Sequence, residues 1–78
     1  MGHLHQLAIS DDGFVFDPTT GQSFTVSSTG HFILAALKNE NSVEQIVVDL
    51  TETYEVSPQE AEQDTLDFMA HLKNHRLL

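Results

Sequence analysis

Apolar and polar positions along the chain change period once, near Ser27. Before that point the period is two. Leu7 and Ile9 alternate with Gln6, Ala8 and Ser10, and Asp11-Asp12-Gly13 then supplies a tight reversal in which Gly13 can adopt positive φ. Phe14-Val15-Phe16 follows as a second strand, and the alternation points both rings at the core. Asp17-Pro18-Thr19-Thr20-Gly21 is the next turn, with φ preset at Pro18 and closure at Gly21. Gln22-Ser23-Phe24-Thr25-Val26 alternates strictly, Phe24 and Val26 inward, Ser23 and Thr25 outward. Connections this short predict a three-stranded antiparallel meander. Such a sheet needs cover on its apolar face to be stable.

From Ser27 the period becomes helical. Ser27 or Ser28 can cap a helix carrying Phe32, Ile33, Leu34, Ala35, Ala36 and Leu37, and Lys38-Asn39-Glu40-Asn41 ends it, with asparagine suited to the left-handed conformation. Ser42 and Gln45 have capping-box spacing. They open a second helix whose stripe is Val43, Ile46, Val47, Leu50 and Tyr54. Ser57-Pro58-Gln59-Glu60 opens a third, with a cap, a proline in the first turn and an acid three residues after the cap. Ala61, Thr65, Phe68, Met69 and Leu72 face the core, while His75 and Arg76 suit the negative end of the helix dipole. The expected core cluster is Phe14, Phe16, Phe24, Val26, Phe32, Ile33, Leu37, Ile46, Val47, Leu50, Phe68 and Leu72.

Three strands and then three helices give one α+β domain over residues 1–78. The layout is winged-helix-like, with the three-stranded antiparallel sheet placed before the three α-helices. A winged helix suggests DNA, and the charge argues against it. The chain has 12 acids, 3 bases and a net charge of −9. Its third helix carries Glu60, Glu62, Asp64 and Asp67 before its first base, Lys73. A helix entering a groove lined by phosphates needs the opposite sign. With no cysteine, disulfides, thiolate metal sites and a cysteine nucleophile are all excluded. No apolar run approaches the ~18 residues of a membrane span, and the first residues lack a basic-then-apolar signal layout. A cytoplasmic setting is expected.

Catalytic groupings are hard to assemble. Asp11-Asp12 falls in a turn and Asp64/Asp67 on a helix surface, where carboxylates are simply solvated. No serine sits in a G-x-S-x-G elbow, and no glycine-rich phosphate loop occurs. His71 and His75 are four apart, and His3 and His5 two apart. Either pair could contribute to a metal site, but no further ligands can be named, so the histidines read as exposed and no cofactor is expected. An acyl carrier is excluded as well. Asp49-Leu50-Thr51 lacks the serine that would hold the prosthetic arm, and three leading strands contradict an all-helical carrier.

The residues that carry a family resemblance are Gly13-Phe14-Val15-Phe16-Asp17, Thr20-Gly21-Gln22-Ser23-Phe24-Thr25-Val26 and Thr29-Gly30. They continue with Ile33-Leu34, Ser42, Ile46, Tyr54, Asp64, Phe68, Leu72 and the closing Leu77-Leu78. In order and separation they resemble the PqqD-like proteins, or RiPP recognition elements, over nearly the whole chain. The flanks of the central turn resemble most the subfamily associated with HPr-kinase-related systems. Two positions depart from the pattern: Asn41 and Arg76 stand where family members often have glycine.

The resemblance implies a non-catalytic peptide-binding module. Such modules capture the leader of a ribosomally made precursor peptide and present it to a modifying enzyme. It implies that the leader adds as a strand beside Ser23, Phe24, Thr25 and Val26, against a helical wall drawn from Thr65, Leu66 and Met69. The physics of strand addition agrees, because an unpaired edge offers N–H and C=O groups while strand–helix pockets select side chains. The alternative is an adaptor or regulatory subunit that docks on a folded kinase-like or radical-SAM partner without binding a peptide. A third-strand edge covered by a second chain would favour that adaptor, or a homodimer. For either reading the charge gives one expectation: no retarded band with duplex DNA at micromolar protein and low salt, where phosphate contacts are strongest. A shifted band would overturn the exclusion of nucleic acid.

Overall fold

The computed structural model describes residues 4–78, so His3 lies outside the described residues. After a single 3-10 turn at Leu4–Gln6, the strands are β1 (Ala8–Ile9), β2 (Phe14–Asp17) and β3 (Gln22–Thr25). The helices are α1 (Ser28–Lys38), α2 (Val43–Tyr54) and α3 (Pro58–Asn74). The sheet is antiparallel throughout, in the order β1-β2-β3. This is the expected α+β architecture.

Both hairpin turns depend on glycine at positive φ. Gly13 has φ +86°, and a Cβ placed on it would lie 2.9 Å from the Val26 carbonyl oxygen. Gly21 has φ +76°, and its N–H donates to the Asp17 carbonyl at 2.8 Å. Asp17 organises this second turn with its side chain too. Its carboxylate accepts from the Thr19 N–H at 2.9 Å and the Thr20 hydroxyl at 3.2 Å, an Asx-turn arrangement.

The register of β2 corrects one expectation. Ile9, Val15 and Phe24 lie opposite one another across the three strands, as do Ala8, Phe16 and Ser23. Val15 is fully buried and Asp17 is 3% exposed, whereas Phe14 is 58% and Phe16 45% exposed. The rings therefore stand on the outer face, not in the core. Strand alternation allows either choice, and a one-residue change of phase swaps every side chain. Here inward-facing Ile9 and Phe24 fix the phase. Phe24, Val26, Phe32, Val47 and Phe68 are half-buried against the core, and Ile33, Leu37, Ile46, Leu50 and Leu72 are buried in it as expected. Leu4, Leu7, Leu34, Ala61 and Leu77 join them.

Each helix starts at a serine cap. Ser27, Ser42 and Ser57 accept from the N–H groups of Gly30, Gln45 and Glu60, each at 3.1 Å. The ends of α1 and α3 reverse through a left-handed residue. After α1 that residue is Glu40 (φ 62°) rather than an asparagine, and the Asn41 N–H then bonds the Ala36 carbonyl at 3.1 Å. Tyr54, placed on the buried stripe from its spacing, lies at the edge of the core. Its ring meets Phe32 edge-on at 5.7 Å, and its hydroxyl donates to the Ser28 carbonyl at 3.3 Å.

The β2 register has a direct test in thermal or chemical unfolding. Val15→Ala should cost about 2 kcal/mol, from lost burial plus a cavity. Phe14→Ser and Phe16→Ser should each cost under about 1 kcal/mol, the scale of a cross-strand pair. The opposite ranking would place the rings in the core.

Candidate functional site

Among the described residues β3 has a strand neighbour on one side only. Its hydrogen bonds to β2 alternate, and their phase follows from the flanking contacts. The Val26 N–H donates to the Gly13 carbonyl at 2.9 Å, and on the other side of β2 the Ser10 N–H donates to the Phe14 carbonyl at 2.9 Å. Antiparallel alternation then assigns the backbone groups of Phe24 to Val15, and directs those of Ser23 and Thr25 to the open edge. The edge is short and polar outside, and Ser23 and Thr25 are small enough to admit another strand beside them.

The opposite wall is α3. Asp64, Phe68, His71 and His75 recur at spacings of three and four, so they share one face of the helix. Its C-terminal half and β3 enclose a groove of about 790 Å³. Asp17, Thr20, Gln22, Ser23, Phe24 and Thr25 line it on the sheet side, and His71, His75, Arg76 and Leu77 on the other. A second recess of about 410 Å³ lies along the N-terminal half of the same face, between Ser27, Thr29, Gly30 and Ile33 and the side chains of Asp64, Asp67 and Phe68. α3 therefore runs opposite to β3, with Asp64 near Ser27 and His75 near Gln22. Gly30 permits the close approach, since a Cβ there would lie 3.1 Å from Phe68 Cε1 and 3.3 Å from Val26 Cβ.

The polar groups along this wall differ at its two ends. Asp64 and Asp67 stand at one end, where Asp67 accepts from the Gln63 amide at 2.8 Å. His71 and His75 stand at the other, their rings 4.5 Å apart and inclined by 62°, beside Arg76. Among the described residues Arg76 makes no ion pair. No group of three or more His, Cys, Asp or Glu among the described residues is placed to hold a metal ion.

Ser23, Phe24 and Thr25 line the groove; Val26 lines neither recess and lies against Gly30, its Cβ 3.3 Å from where a Cβ there would stand. The helical wall differs from the expected one. Thr65 is fully buried, and its hydroxyl donates back to the Ala61 carbonyl at 2.8 Å, so it faces the core. Leu66 is 47% exposed and lines neither recess, while Met69 is half-buried against the core. Leu66 and Met69 flank the buried stripe on one side; the groove lies on the other. The spacing of Asp64, Phe68, His71 and His75 is visible in the sequence, but Phe68 reads as a core residue and the polarity of the other three reads as solvent-facing.

Among solved structures the chain is similar to TbiB1 in complex with the TbiA(beta) leader peptide, with 30% identity, a TM-score of 0.80, and coverage of 92% of this chain and 85% of that one. It is also similar to a lasso peptide synthetase B1 complexed with the leader peptide, at 26% identity and a TM-score of 0.78, covering 91% of this chain and 85% of that one. No curated protein matches the chain. Over residues 12–78, from the first hairpin turn to the last residue, the sequence matches the family described as coenzyme PQQ synthesis protein D (PqqD). A meander with one free edge, a helix laid beside that edge and this continuous sequence match together make the chain a member of the PqqD family.

Proposed function

We propose that this protein is a RiPP recognition element, a peptide-binding module that captures the leader of a ribosomally made precursor and presents it to a modifying enzyme. The observation that carries the reading is the free edge of β3, with the Ser23 and Thr25 backbone groups directed into a groove walled by α3. Two similar structures are themselves complexes with leader peptides, which supports the same mode here. An extended peptide would pair with Ser23–Val26 and lay alternate side chains against Phe24 and Phe68. Asp64, Phe68, His71 and His75 take the wall role first assigned to Thr65, Leu66 and Met69.

The module works without chemistry of its own. Among the described residues His5, His71, His75 and most carboxylates are open to solvent, His31 bonds the Ser10 carbonyl at 2.9 Å, and buried Asp17 is engaged by its own turn. Transformation of the peptide therefore belongs to a partner enzyme. The whole chain acts as one cytoplasmic domain, within the branch of the family linked to HPr-kinase-related systems. No helix among the described residues is long and apolar enough to cross a membrane.

Exposed Phe14 and Phe16 favour a second reading, an adaptor that docks on a folded partner through the outer sheet face, or a homodimer. The two readings separate in an amide spectrum titrated with synthetic peptides from small reading frames encoded beside the gene. Peptide capture predicts shifts at Ser23, Thr25, Phe68 and His71. Shifts confined to β1 and the Phe14–Phe16 face would support the adaptor. Thr25→Pro adds a second arm. Because the Thr25 N–H points away from β2, proline there should leave the sheet folded, yet lower peptide affinity by at least about tenfold. Unchanged affinity in a folded Thr25→Pro protein would remove the edge as the site.

A further inference from the structure

Two recesses follow one face of α3: one is walled by Asp64 and Asp67, and the other by Arg76, His71 and His75 opposite Asp17, whose carboxylate accepts from its own turn; Arg76 is held there at a conformational cost. Arg76 has φ 59°, in the left-handed region where glycine is free of strain. Its N–H bonds the Lys73 carbonyl at 3.0 Å, and the Leu77 N–H bonds the Leu72 carbonyl at 2.8 Å. This reversal buries Leu77 and sets Arg76 on the groove lining beside His71 and His75. Glycine would make the same turn more cheaply. A strained residue that also lines a cavity is a reason to look for a ligand there.

In a chain of 12 acids and 3 bases, a guanidinium with no ion pair among the described residues is a scarce resource. At the other end of the same helix face stand Asp64 and Asp67. We propose that the groove selects an extended peptide of opposite charges. In it, a carboxylate side chain seats against Arg76, His71 and His75, and a Lys or Arg about four residues away seats against Asp64 and Asp67. This rests on the peptide-capture reading above and specifies its ligand.

The spacing follows from geometry. Asp67 and His75 lie just over two helical turns apart, about 12 Å along the axis. An extended strand covers that length in about four residues, at ~3.3 Å each. Four is even, so both charged side chains leave the peptide on the same face. Arg presents a planar fork suited to a carboxylate, and the neighbouring imidazoles can donate further hydrogen bonds. β3 runs from the Arg76 end towards Asp64, and antiparallel pairing is the more stable per residue. The peptide therefore enters basic residue first, in the order Lys/Arg-x-x-x-Asp/Glu.

The test is selection from a display library of random twelve-residue peptides on the intact protein, with Arg76→Gly and Asp67→Lys selected in parallel. Enrichment of Lys/Arg four positions before Asp/Glu is expected on the parent. Those peptides should bind Arg76→Gly at least about tenfold more weakly, although this variant should melt at a higher temperature than the parent. Asp67→Lys should exchange the preference at the first charged position from basic to acidic, which a merely structural role would not do. Peptides that show the reverse order or no charge pattern, and bind all three proteins equally, would overturn the proposal while peptide capture stands. No enrichment on the parent at all would remove both.

Discussion

Val15 sits where the structure commits itself. Its side chain enters the core with no exposed surface, while its backbone lies between Ile9 on one side and Phe24 on the other. Setting that one residue inward fixes the rest of the sheet. Phe14 and Phe16 must then face out, and their backbone groups bond β1. The groups of Gly13 and Val15 turn to β3. Ser23 and Thr25 are left with N–H and C=O groups directed to open space. β3 is the outer strand, and the choice of which of its backbone groups face the free edge goes with the inward valine one strand away. A shift of one residue in β2 would move the rings into the core and put the unpaired groups at different positions on β3.

An edge alone is a liability, because it pairs with anything extended. What turns it into a selective site is the second wall. α3 lies close to α1 at Gly30, where a Cβ would stand 3.1 Å from Phe68 Cε1 and 3.3 Å from the Cβ of Val26, the residue after β3. To admit a Cβ at position 30, the Phe68 ring would have to yield by a few tenths of an ångström. The helix is also started firmly, by Ser57 accepting from the Glu60 N–H and by Pro58 in the first turn. In the proposed mode of capture, backbone pairing along β3 would supply affinity with little discrimination, and the α3 face would supply the discrimination.

Much of this was legible in the sequence where the signal is local. The serine caps, the glycine turns and the order of three strands and three helices follow from residue chemistry within a few positions, and they appear as read. Features set by long-range packing were not legible. Phe14-Val15-Phe16 reads as aromatic-inward because larger apolar surfaces are usually the buried ones, yet the strand's phase is decided by Ile9 and Phe24. The buried stripe of α3 was also found, at Ala61, Thr65 and Leu72. Which flank of that stripe meets β3 depends on how the helix crosses the sheet, and no spacing encodes that. Leu66 and Met69, in the wall that the resemblance implies, stand on one flank, and the recesses lie on the other, with Asp64, Phe68, His71 and His75.

Among the described residues three non-glycine residues adopt positive φ: Glu40, Glu55 and Arg76. Each costs on the order of 1 kcal/mol relative to glycine, which matters in a domain whose whole stability is marginal. Glu40 and Glu55 follow α1 and α2 and lie far along the chain from the groove lining, so their strain has only a turn to show for it. Arg76 differs because its reversal has two outputs. The bond from the Leu77 N–H to the Leu72 carbonyl folds the last residues back, so that Leu77 is buried against the core. The same turn leaves the guanidinium-bearing residue on the rim of the groove, next to the paired His71 and His75 rings. Core closure and the chemistry of the groove mouth are therefore set by one backbone conformation. A substitution that alters the turn itself changes both, and one that alters only the side chain at position 76 changes the mouth alone.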